Sequence, residues 1–299
     1  MICSICIATY KRPGLLDRLL NSIDEQQLPD DVILEVIIVD NDCEGSAAPI
    51  VRRRQDQKQI AFKYFLQPEK NISLSRNMAV ANASGDYLFF IDDDEVATPA
   101  WVSTLLTAAA EYQADAVFGP VFPTFDNDAP KWIREGASLL VGAVPKTTEV
   151  VSGWSGNCLV KASILTGVPG PFNPEYGITG GSDPELFDRL RQKGARFIYC
   201  NEAQVFEYWP PSRARVSYFL KRGLKEGNGC TRRAIEFARG KGTVRLVMFG
   251  KAVAFGFLSL ILSIAAFPSR VWRTYWQMKI ASNVGRFMAV LGHHYKSYK

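Results

Sequence analysis

The most concentrated chemistry in the sequence is a run of four acids, Asp92, Asp93, Asp94 and Glu95, directly after the apolar segment 87–91. Neighbouring carboxylates repel one another, and a bound cation relieves that repulsion. Alternate residues at the end of a strand point the same way, so Asp92 and Asp94 can bind a divalent ion together with the phosphates of a nucleotide. The alternative is a solvated acidic turn.

The types of ligand in the sequence limit which metal such a site can hold. The two histidines, His293 and His294, lie at the end of the chain, so a histidine-based metal site or a Ser-His-Asp triad in the main domain is excluded. Oxygen ligands suit Mg²⁺ or Mn²⁺. Cys3 and Cys6 form a C-x-x-C pattern, but they lie in an apolar strand pattern without a second pair, and we interpret them as core.

A second candidate site is Gly180-Gly181-Ser182-Asp183. Two glycines let the backbone bend sharply close to a ligand. A carboxylate behind such a bend, here Asp183, can serve as a general base. The same residues also suit a helix start, with Asp183 or Ser182 as the cap and Pro184 in the first turn. One residue can serve both purposes, so both interpretations stay open.

The elements that position these residues alternate between strand and helix along the first half of the chain. Apolar segments predict buried parallel strands, and helical spacing of apolar residues separates them. This alternation predicts an α/β fold with a mostly parallel sheet and helices on both faces. The predicted strands lie at 2–8, 32–39, 62–66, 87–91 and 116–123, and the predicted helices at 14–26, 73–83 and 100–112.

Ligands bind such sheets outside the carboxyl ends of the strands. Three predicted strands end in polar residues, namely Thr9 with Tyr10, Asp40, and Asp92. We therefore expect these three groups to meet at one edge of the sheet. Residues 124–181 are rich in Gly, Pro and Trp and predict loops and short strands, and residues 212–239 predict a basic helix or helical hairpin.

Five segments, taken in order, resemble family 2 glycosyltransferases. The set spans residues 5–190 and is far more specific than any one of its motifs. It consists of Ile5-Cys6-Ile7-Ala8-Thr9-Tyr10-Lys11-Arg12-Pro13, Val36-Ile37-Ile38-Val39-Asp40-Asn41-Asp42, Ser75-Arg76-Asn77, Phe89-Phe90-Ile91-Asp92-Asp93-Asp94-Glu95 and Gly180-Gly181-Ser182-Asp183. The exopolysaccharide branch, of the succinoglycan glucosyltransferase type, is the most similar. The resemblance implies a GT-A fold and a metal-dependent inverting hexosyltransferase.

The resemblance also implies individual roles. Asp183 matches the catalytic base, although Ser182 stands where the family has an acid, and Asp92 and Asp94 match the metal ligands. Binding of the nucleotide sugar is implied for Ala8, Thr9, Tyr10, Arg12, Asp40, Asp42, Arg76, Asn77, Asp92 and Asp93. For Arg76 the alternative is that it holds the acidic cluster. Contact with the acceptor or the diphosphate is implied for Trp154, Gly156, Asn157, Gly181 and Arg213. Core packing is the alternative for Trp154, and a cationic membrane-facing helix is the alternative for Arg213.

The last third of the chain differs in charge from the rest. Residues 208–299 hold 17 Lys and Arg against two acids, whereas residues 1–207 hold 18 Lys and Arg against 28 acids. An excess of this kind indicates an anionic partner, or otherwise a solvated basic face. Residues 252–267 carry no charge, and basic and aromatic residues follow them, as at a membrane interface. We favour an interfacial or re-entrant segment over a single span, a buried helix or an oligomer contact.

Together these patterns predict a GT-A catalytic domain over residues 1–210 and a basic helical region over 211–299, with an apolar membrane-associating segment at 246–267. Within the catalytic domain, 1–123 form the half that binds the nucleotide sugar and 124–210 the half that binds the acceptor. The expected cofactor is Mg²⁺ or Mn²⁺. The expected donor is a UDP-sugar, and the expected acceptor is a polyprenyl-diphosphate-linked oligosaccharide.

We expect the protein to act at the cytoplasmic face of a bacterial inner membrane, since no secretory signal precedes the first strand. Its surface partner is then anionic lipid, and no recognition motif indicates nucleic acid. Two other functions stay open. One is an inactive membrane-associated scaffold that binds sugar nucleotides. The other is a nucleotidyltransferase, whose glycine-rich basic loop Lys11-Arg12-Pro13-Gly14 matches poorly.

Overall fold

The computed structural model describes residues 1–55, 60–141, 145, 148–165, 168 and 170–295. Contacts within the chain divide it into two compact units. The first comprises residues 1–122, 144–177 and 182–208, and the second comprises residues 123–143, 178–181 and 209–299.

Ten strands in the described residues form two sheets. They are β1 (Ile2–Thr9), β2 (Ile33–Asp40), β3 (Ala61–Leu66), β4 (Tyr87–Ile91), β5 (Glu95–Ala97), β6 (Ala116–Phe118), β7 (Val121–Thr124), β8 (Asn157–Lys161), β9 (Phe197–Tyr199) and β10 (Val205–Tyr208). The larger sheet has the order β3-β2-β1-β4-β8-β6-β9, and the smaller has the order β5-β10-β7. In the larger sheet β8 alone is antiparallel to its neighbours, so the predicted mostly parallel sheet is confirmed.

The helices of the described chain are α1 (Pro13–Asp24), α2 (Ala48–Gln55), α3 (Ile72–Asn82), α4 (Trp101–Glu111), α5 (Lys131–Val141), α6 (Ser182–Gln192), α7 (Val216–Glu236), α8 (Lys241–Ala265) and α9 (Arg270–Val290). The three helices predicted in the first half are confirmed as α1, α3 and α4, with ends within two residues of the predicted ones.

The core lies on both faces of the larger sheet, because successive residues of a strand point to opposite faces. Ile5 and Ile7 of β1 belong to a buried cluster with Leu16 of α1 and Leu105 of α4. Cys6, between them, belongs to a second cluster with residues of α3 and α6. Each fully buried aliphatic side chain contributes about 1.5–3 kcal/mol. Helices cover both faces, as predicted.

The expectation for residues 124–181 is wrong in one respect, because α5 lies there. Its buried residues, Ile133, Gly136, Ala137 and Leu140, follow the helical spacing i, i+3, i+4, i+7. That periodicity outweighs the Gly, Pro and Trp content on which the loop prediction rested. Residues 212–239, in turn, contain one helix, α7, rather than a hairpin.

One helix among the described residues, α8, is long and apolar enough to cross a membrane. Its most apolar stretch of 18 residues has a mean hydropathy of 2.0, and only 17% of that stretch is buried. The core helix of a soluble domain would be covered instead, so the apolar surface of α8 needs its own explanation.

Candidate active site

The polar ends of β1, β2 and β4 meet at one edge of the larger sheet, as predicted. Parallel pairing places Thr9 level with Asp40. β4 pairs with β1 on the other side, and Thr9 Oγ1 donates a hydrogen bond of 2.8 Å to Asp93 Oδ2. The residues that follow these strands therefore form one continuous polar surface.

The four acids after β4 form a tight turn in which each carboxylate has its own environment. The side chain of Glu95 reaches back and accepts a bond of 2.9 Å from the backbone N–H of Asp92. Asp93 and Asp94 are buried and accept from Arg12 Nη1 at 3.1 and 3.0 Å. The side chain of Asp92 is 48% exposed. The turn therefore presents Asp92 to solvent and ties its neighbours to Arg12.

Arg76, the fifth residue of α3, connects the acidic turn to Asp183, which belongs to the second candidate site. Its Nη2 donates to Asp92 Oδ1 at 3.2 Å, and its Nη1 donates to Asp183 Oδ1 at 2.5 Å. Asn71 caps the helix by accepting from the N–H groups of Ser73 and Leu74, which fixes the start of α3. One planar guanidinium thus sets the spacing between two carboxylates that lie 91 positions apart in the chain.

Asp183 lies in the first turn of α6, and its carboxylate is held from several sides. Besides Arg76, the hydroxyl of Ser182 donates to it at 3.0 Å and the backbone N–H of Ser155 at 3.5 Å. Burial opposes ionisation, but Arg76 and these bonds outweigh it and lower the pKa of Asp183. Asp183 is therefore a carboxylate at neutral pH, the form that a proton acceptor requires.

The structure around Asp183 can be compared with the prediction that these residues cap and start a helix. A helix, α6, does start here, but its first residue is Ser182, so neither Ser182 nor Asp183 lies at the predicted cap position, although Pro184 lies in the first turn as expected. Glu185, the partner proposed for a capping box, instead forms an ion pair of 2.7 Å with Arg189. Gly180 and Gly181 have φ values of 80° and 96°, which L side chains rarely adopt. These values confirm the sharp bend predicted before Asp183.

The acidic turn holds more negative charge than its surroundings favour. Partial removal of the carboxylate of Asp92 from water raises its pKa to about 7; Arg76 opposes this shift, whereas Asp94, Asp183 and Asp93 add to it. Burial, followed by the charge of Asp92, also raises the pKa of Glu95 well above its ordinary value. A bound cation would reverse this, because it favours the ionised forms.

The turn leaves room for such a cation. A Cβ on Gly156 would lie 3.1 Å from Glu95 Oε1 and 3.4 Å from Asp92 Oδ2, so the glycine keeps the space before these oxygens open. Carboxylate oxygens suit Mg²⁺ and Mn²⁺. Within the described part of the chain, however, no group of three His, Cys, Asp or Glu residues is arranged to hold a metal. The residues fit a divalent ion only if a ligand such as a diphosphate completes its coordination.

The end of β2 forms a loop organised by Asp40. Its carboxylate is fully buried and accepts from the N–H groups of Asp42 and Ala47, at 3.0 and 2.7 Å, and from the hydroxyl of Tyr64 at 3.1 Å. Asp42 lies 3.7 Å from the ammonium group of Lys11. Asp40 therefore shapes the loop, and Asp42 lies beside a cation.

A cationic aromatic cluster follows β1. Tyr10 is 37% exposed, and the ammonium groups of Lys11 and Lys70 lie 5.6 and 5.0 Å from the centre of its ring. Lys11 has a φ of 55°, a strained value for a residue with a side chain. Ala8, one of the predicted contacts, is half-buried near the end of β1. Sequence analysis missed Lys70, which no motif marks.

Two other predicted ligand contacts also support the fold. The amide of Asn157 is fully buried; it donates to the carbonyls of Pro120 and Ala203 and accepts from Trp101 Nε1 at 2.8 Å. Asn77 exchanges two bonds of 2.8 Å with the backbone of Phe172. These bonds give both amides a structural role.

The surroundings of the remaining residues predicted to contact a ligand differ from one residue to the next. Trp154 is half-buried, with ring centres 5.5 Å from Phe118 and 5.9 Å from Tyr199, so core packing accounts for part of its surface. Gly181 and Arg213 belong to the second unit, where the guanidinium of Arg213 lies 6.0 Å from the ring centre of Tyr218.

Comparison with known proteins decides the family. The model of the family described as "Glycosyl transferase family 2" matches residues 4–165, more than half of the chain. The chain belongs to this family. This glycosyltransferase is 30% identical to the succinoglycan biosynthesis protein ExoM of Rhizobium meliloti, over 96% of this chain and 92% of that protein.

Two further relatives differ in how much they cover. The GalNAc(5)-diNAcBac-PP-undecaprenol beta-1,3-glucosyltransferase of Campylobacter jejuni is 32% identical over 39% of this chain and 37% of that protein. The mannosyltransferase PcManGT of Pyrobaculum calidifontis, solved with GDP-Man and Mn²⁺, superposes with a TM-score of 0.65. That match has 20% identity and covers 95% of this chain and 86% of the other. The likeness confirms the predicted GT-A fold.

Proposed function

We propose that this glycosyltransferase moves a sugar from a nucleoside-diphosphate sugar to a hydroxyl of a lipid-linked glycan, with inversion, during synthesis of an exopolysaccharide or cell-surface polysaccharide. The observation that carries the proposal is the guanidinium of Arg76, which holds the ionised Asp183 beside the acidic turn at Asp92. The names of ExoM and of the Campylobacter enzyme support a polysaccharide product and a polyprenyl-diphosphate-linked acceptor. The undecaprenol in the second name fits a location at a membrane, and we place the protein at the cytoplasmic face of a bacterial inner membrane.

We assign the donor to the edge formed by β1, β2 and β4. The exposed ring of Tyr10 suits stacking on a nucleobase, and Lys11 and Lys70 beside it suit phosphate oxygens. Arg12 is bound to Asp93 and Asp94, so it contributes positive charge from a fixed position. The resemblance implies a UDP-sugar, whereas PcManGT was solved with GDP-Man, so experiment must identify the base and the sugar.

We assign Mg²⁺ or Mn²⁺ to Asp92 and Asp94 together with the diphosphate. When bound, the ion offsets the negative charge that develops on the diphosphate as it leaves. Arg76 acts on the same region, because it remains bonded to Asp92 while it holds Asp183. The half-exposed carboxylate of Asp92 and the open space at Gly156 leave the side facing the donor accessible.

Asp183 is the general base. Its carboxylate accepts the proton of the acceptor hydroxyl while the oxygen of that hydroxyl attacks the anomeric carbon. One carbon–oxygen bond forms, and the bond from the same carbon to the diphosphate breaks with its electron pair going to the diphosphate oxygen. Attack from the face opposite the leaving group inverts the anomeric centre, so an α-linked donor gives a β-linkage.

The test uses the full chain in mild detergent with a panel of UDP-, GDP- and dTDP-sugars and Mn²⁺ or Mg²⁺. We expect one donor to release its nucleoside diphosphate, and we expect chelator or the Asp183→Asn change to abolish the release. Asp188→Asn, the same change on the same helix, is the control that should retain it. If no donor binds by thermal shift and none is hydrolysed, the transferase proposal fails.

A second arm addresses the scaffold alternative. Donor binding without release calls for the same assay with extracts of lipid-linked glycan. Release that appears only then identifies the acceptor class. Donor binding without release even under those conditions supports an inactive scaffold.

A further inference from the structure

The second unit contains three long helices in which α9 lies between α7 and α8. A Cβ on Gly223 or Gly227 of α7 would overlap the backbone carbonyls of Met278 and Ser282 on α9. The two pairs advance together along both helices, so α7 and α9 are parallel and their backbones are in close contact.

On its other side α9 packs against α8, and this pair is antiparallel. The rings of Phe249 and Phe287 lie 5.7 Å apart, near the beginning of α8 and the end of α9. Gly256 faces Asn283 in the middle of the pair. At the other end Arg273 Nη1 donates to the carbonyl of Phe267 at 2.8 Å.

The side chains of α8 divide it into a narrow covered stripe and a wide exposed surface. Ala252, Ser259 and Ser263 are buried, and their spacing places these small residues along one side. The large apolar residues are exposed on the remaining sides, namely Leu246, Val247, Phe249, Val253, Phe255, Phe257, Leu258, Leu260, Ile261 and Ile264. Soluble proteins rarely leave so much contiguous apolar surface uncovered.

All three helices carry more basic than acidic residues. The only charged residues of α8 are Lys241, Arg245 and Lys251, in its first half. α9 carries cations and aromatic residues, and α7 carries many basic residues together with the last two acids of the chain, Glu226 and Glu236. α8 is therefore set apart by its exposed apolar surface, whereas all three helices carry a net positive charge.

The length of α8 would allow it to span a bilayer, since 25 residues extend about 37 Å. Its neighbour makes that orientation costly. The register between Phe249–Phe287 and Gly256–Asn283 places Arg286 and Asn283 level with the middle of α8. In an upright α8 both would lie near the centre of the bilayer, where a cation is strongly disfavoured.

We propose that α8 lies in the plane of the bilayer surface, with its exposed apolar sides among the acyl chains and the basic residues of α9 and α7 on the side of the anionic headgroups. The aromatic cluster Trp272, Tyr275 and Trp276 at the start of α9 fits the headgroup level, as does Arg273 beside it. The protein then enters one leaflet without crossing the membrane. This deepens the membrane location in the proposed function, although it does not depend on catalysis.

The decisive experiment determines the side of the membrane on which each end of α8 lies. The exposed Cys43 and Cys230 are changed to Ser. Single cysteines are then introduced as Gly240→Cys before α8 and Ser269→Cys after it. Right-side-out and inside-out vesicles from the expressing bacterium are treated with a membrane-impermeant maleimide. We expect both sites to react in inside-out vesicles only. Reaction of the two sites from opposite sides would mean that α8 spans the membrane and would overturn the proposal.

A binding assay tests the lipid partner itself. Phe257→Glu alters a side chain that is 66% exposed, and Ile33→Glu, at 65%, is the matched control in the first unit. We expect Phe257→Glu to weaken sedimentation with phosphatidylglycerol-containing vesicles about tenfold or more, and phosphatidylcholine alone to bind less wild type. Ile33→Glu should bind as wild type does.

Two results of this assay would overturn the proposal. One is a Phe257→Glu variant that binds vesicles as wild type does. The other is a lipid-free dimer that this change dissociates while vesicle binding stays the same, because a second copy of the chain would then cover α8. Donor hydrolysis by the same samples is scored separately. Failure of the lipid proposal therefore leaves the transferase proposal standing, and the reverse also holds.

Discussion

Buried carboxylates lie at both ends of the parallel strands, but their surroundings differ. Near the start of β2, Glu35 accepts bonds from Ser4 Oγ, Lys63 Nζ and the N–H of Ser84, at 2.5, 2.6 and 2.7 Å. At the opposite end, the acidic turn and Asp183 share Arg12 and Arg76. The first carboxylate is satisfied by the protein, whereas the second group gathers more acids than its arginines stabilise.

The pKa shifts express this difference as opposite directions. Burial opposes the ionisation of Glu35, but the bonds from Lys63, Ser4 and Ser84 outweigh it and lower its pKa. At the other end, packing and neighbouring acids raise the pKa of Asp92 to about 7. A satisfied carboxylate stabilises the fold, whereas a cluster of carboxylates with raised pKa values is a candidate binding site.

The largest effect is expected at the carboxyl end of the parallel strands, where the proposed active site lies. Asp183→Asn removes the proposed proton acceptor but keeps the shape of the side chain. We expect kcat to fall about 10²–10⁴-fold, with donor affinity retained. Initial rates of nucleoside diphosphate release measure this. Asp188→Asn should match wild type. An Asp183→Asn enzyme that keeps its full rate would show that Asp183 is not the general base.

The next effect concerns the bridge between the two carboxylates. Arg76→Lys keeps the positive charge, but an ammonium group cannot bond Asp92 and Asp183 in the fork geometry of a guanidinium. We expect kcat/KM to fall about 10–100-fold. Arg189→Lys, which affects the ion pair with Glu185 on α6, should change the rate little. Equal losses in the two variants would mean that the bridge has no special role.

A smaller effect is expected at the opposite end of the strands, where Glu35 is buried. Glu35→Gln should lower the free energy of unfolding by about 1–3 kcal/mol and leave the rate per folded molecule unchanged. Because the folded pKa of Glu35 is lowered, its stabilisation is complete above the unfolded value near 4.5 and is lost as the pH falls through the folded pKa. Urea titrations at neutral and acidic pH measure this. A difference from wild type that grows on acidification would contradict the pairing.

The smallest effect has the opposite sign. The folded pKa of Asp92, about 7, lies above its unfolded value of 3.8, so ionisation of Asp92 opposes folding. In chelated protein, Asp92→Asn should therefore stabilise the fold. The gain should grow as the pH rises from about 4 to about 7 and then stay constant. Thermal unfolding across this range measures it, and a destabilised variant at pH 8 would show that Asp92 is satisfied without a cation.

The sequence could predict the convergence of Thr9, Asp40 and Asp92, because the ends of parallel strands must share an edge. It could not predict that Arg76 joins Asp92 to Asp183, since that contact depends on how α3 and α6 pack on the sheet. The hydrogen bonds of Asn157 to Pro120 and Ala203 could not be predicted either, because no local pattern shows which carbonyls a buried amide reaches.

The apolar helix shows a similar limit. Length and composition allow α8 to span, to lie in the interface or to be buried. The partner α9, which places Asn283 and Arg286 level with the middle of α8, favours the interfacial orientation. The pairing of two helices depends on tertiary contacts, and therefore the hydropathy of one helix could not reveal it.

We propose that a divalent ion and a nucleotide bind together at the carboxyl edge of the sheet. Binding of Mn²⁺, followed by its electron paramagnetic resonance, tests this most directly. We predict weak binding alone and tight binding once the nucleoside diphosphate of the identified donor is present. The tight binding should be lost in Asp92→Asn and kept in Glu35→Gln. Nucleotide binding that is equally strong with chelator, or Mn²⁺ binding unchanged in Asp92→Asn, would contradict the account.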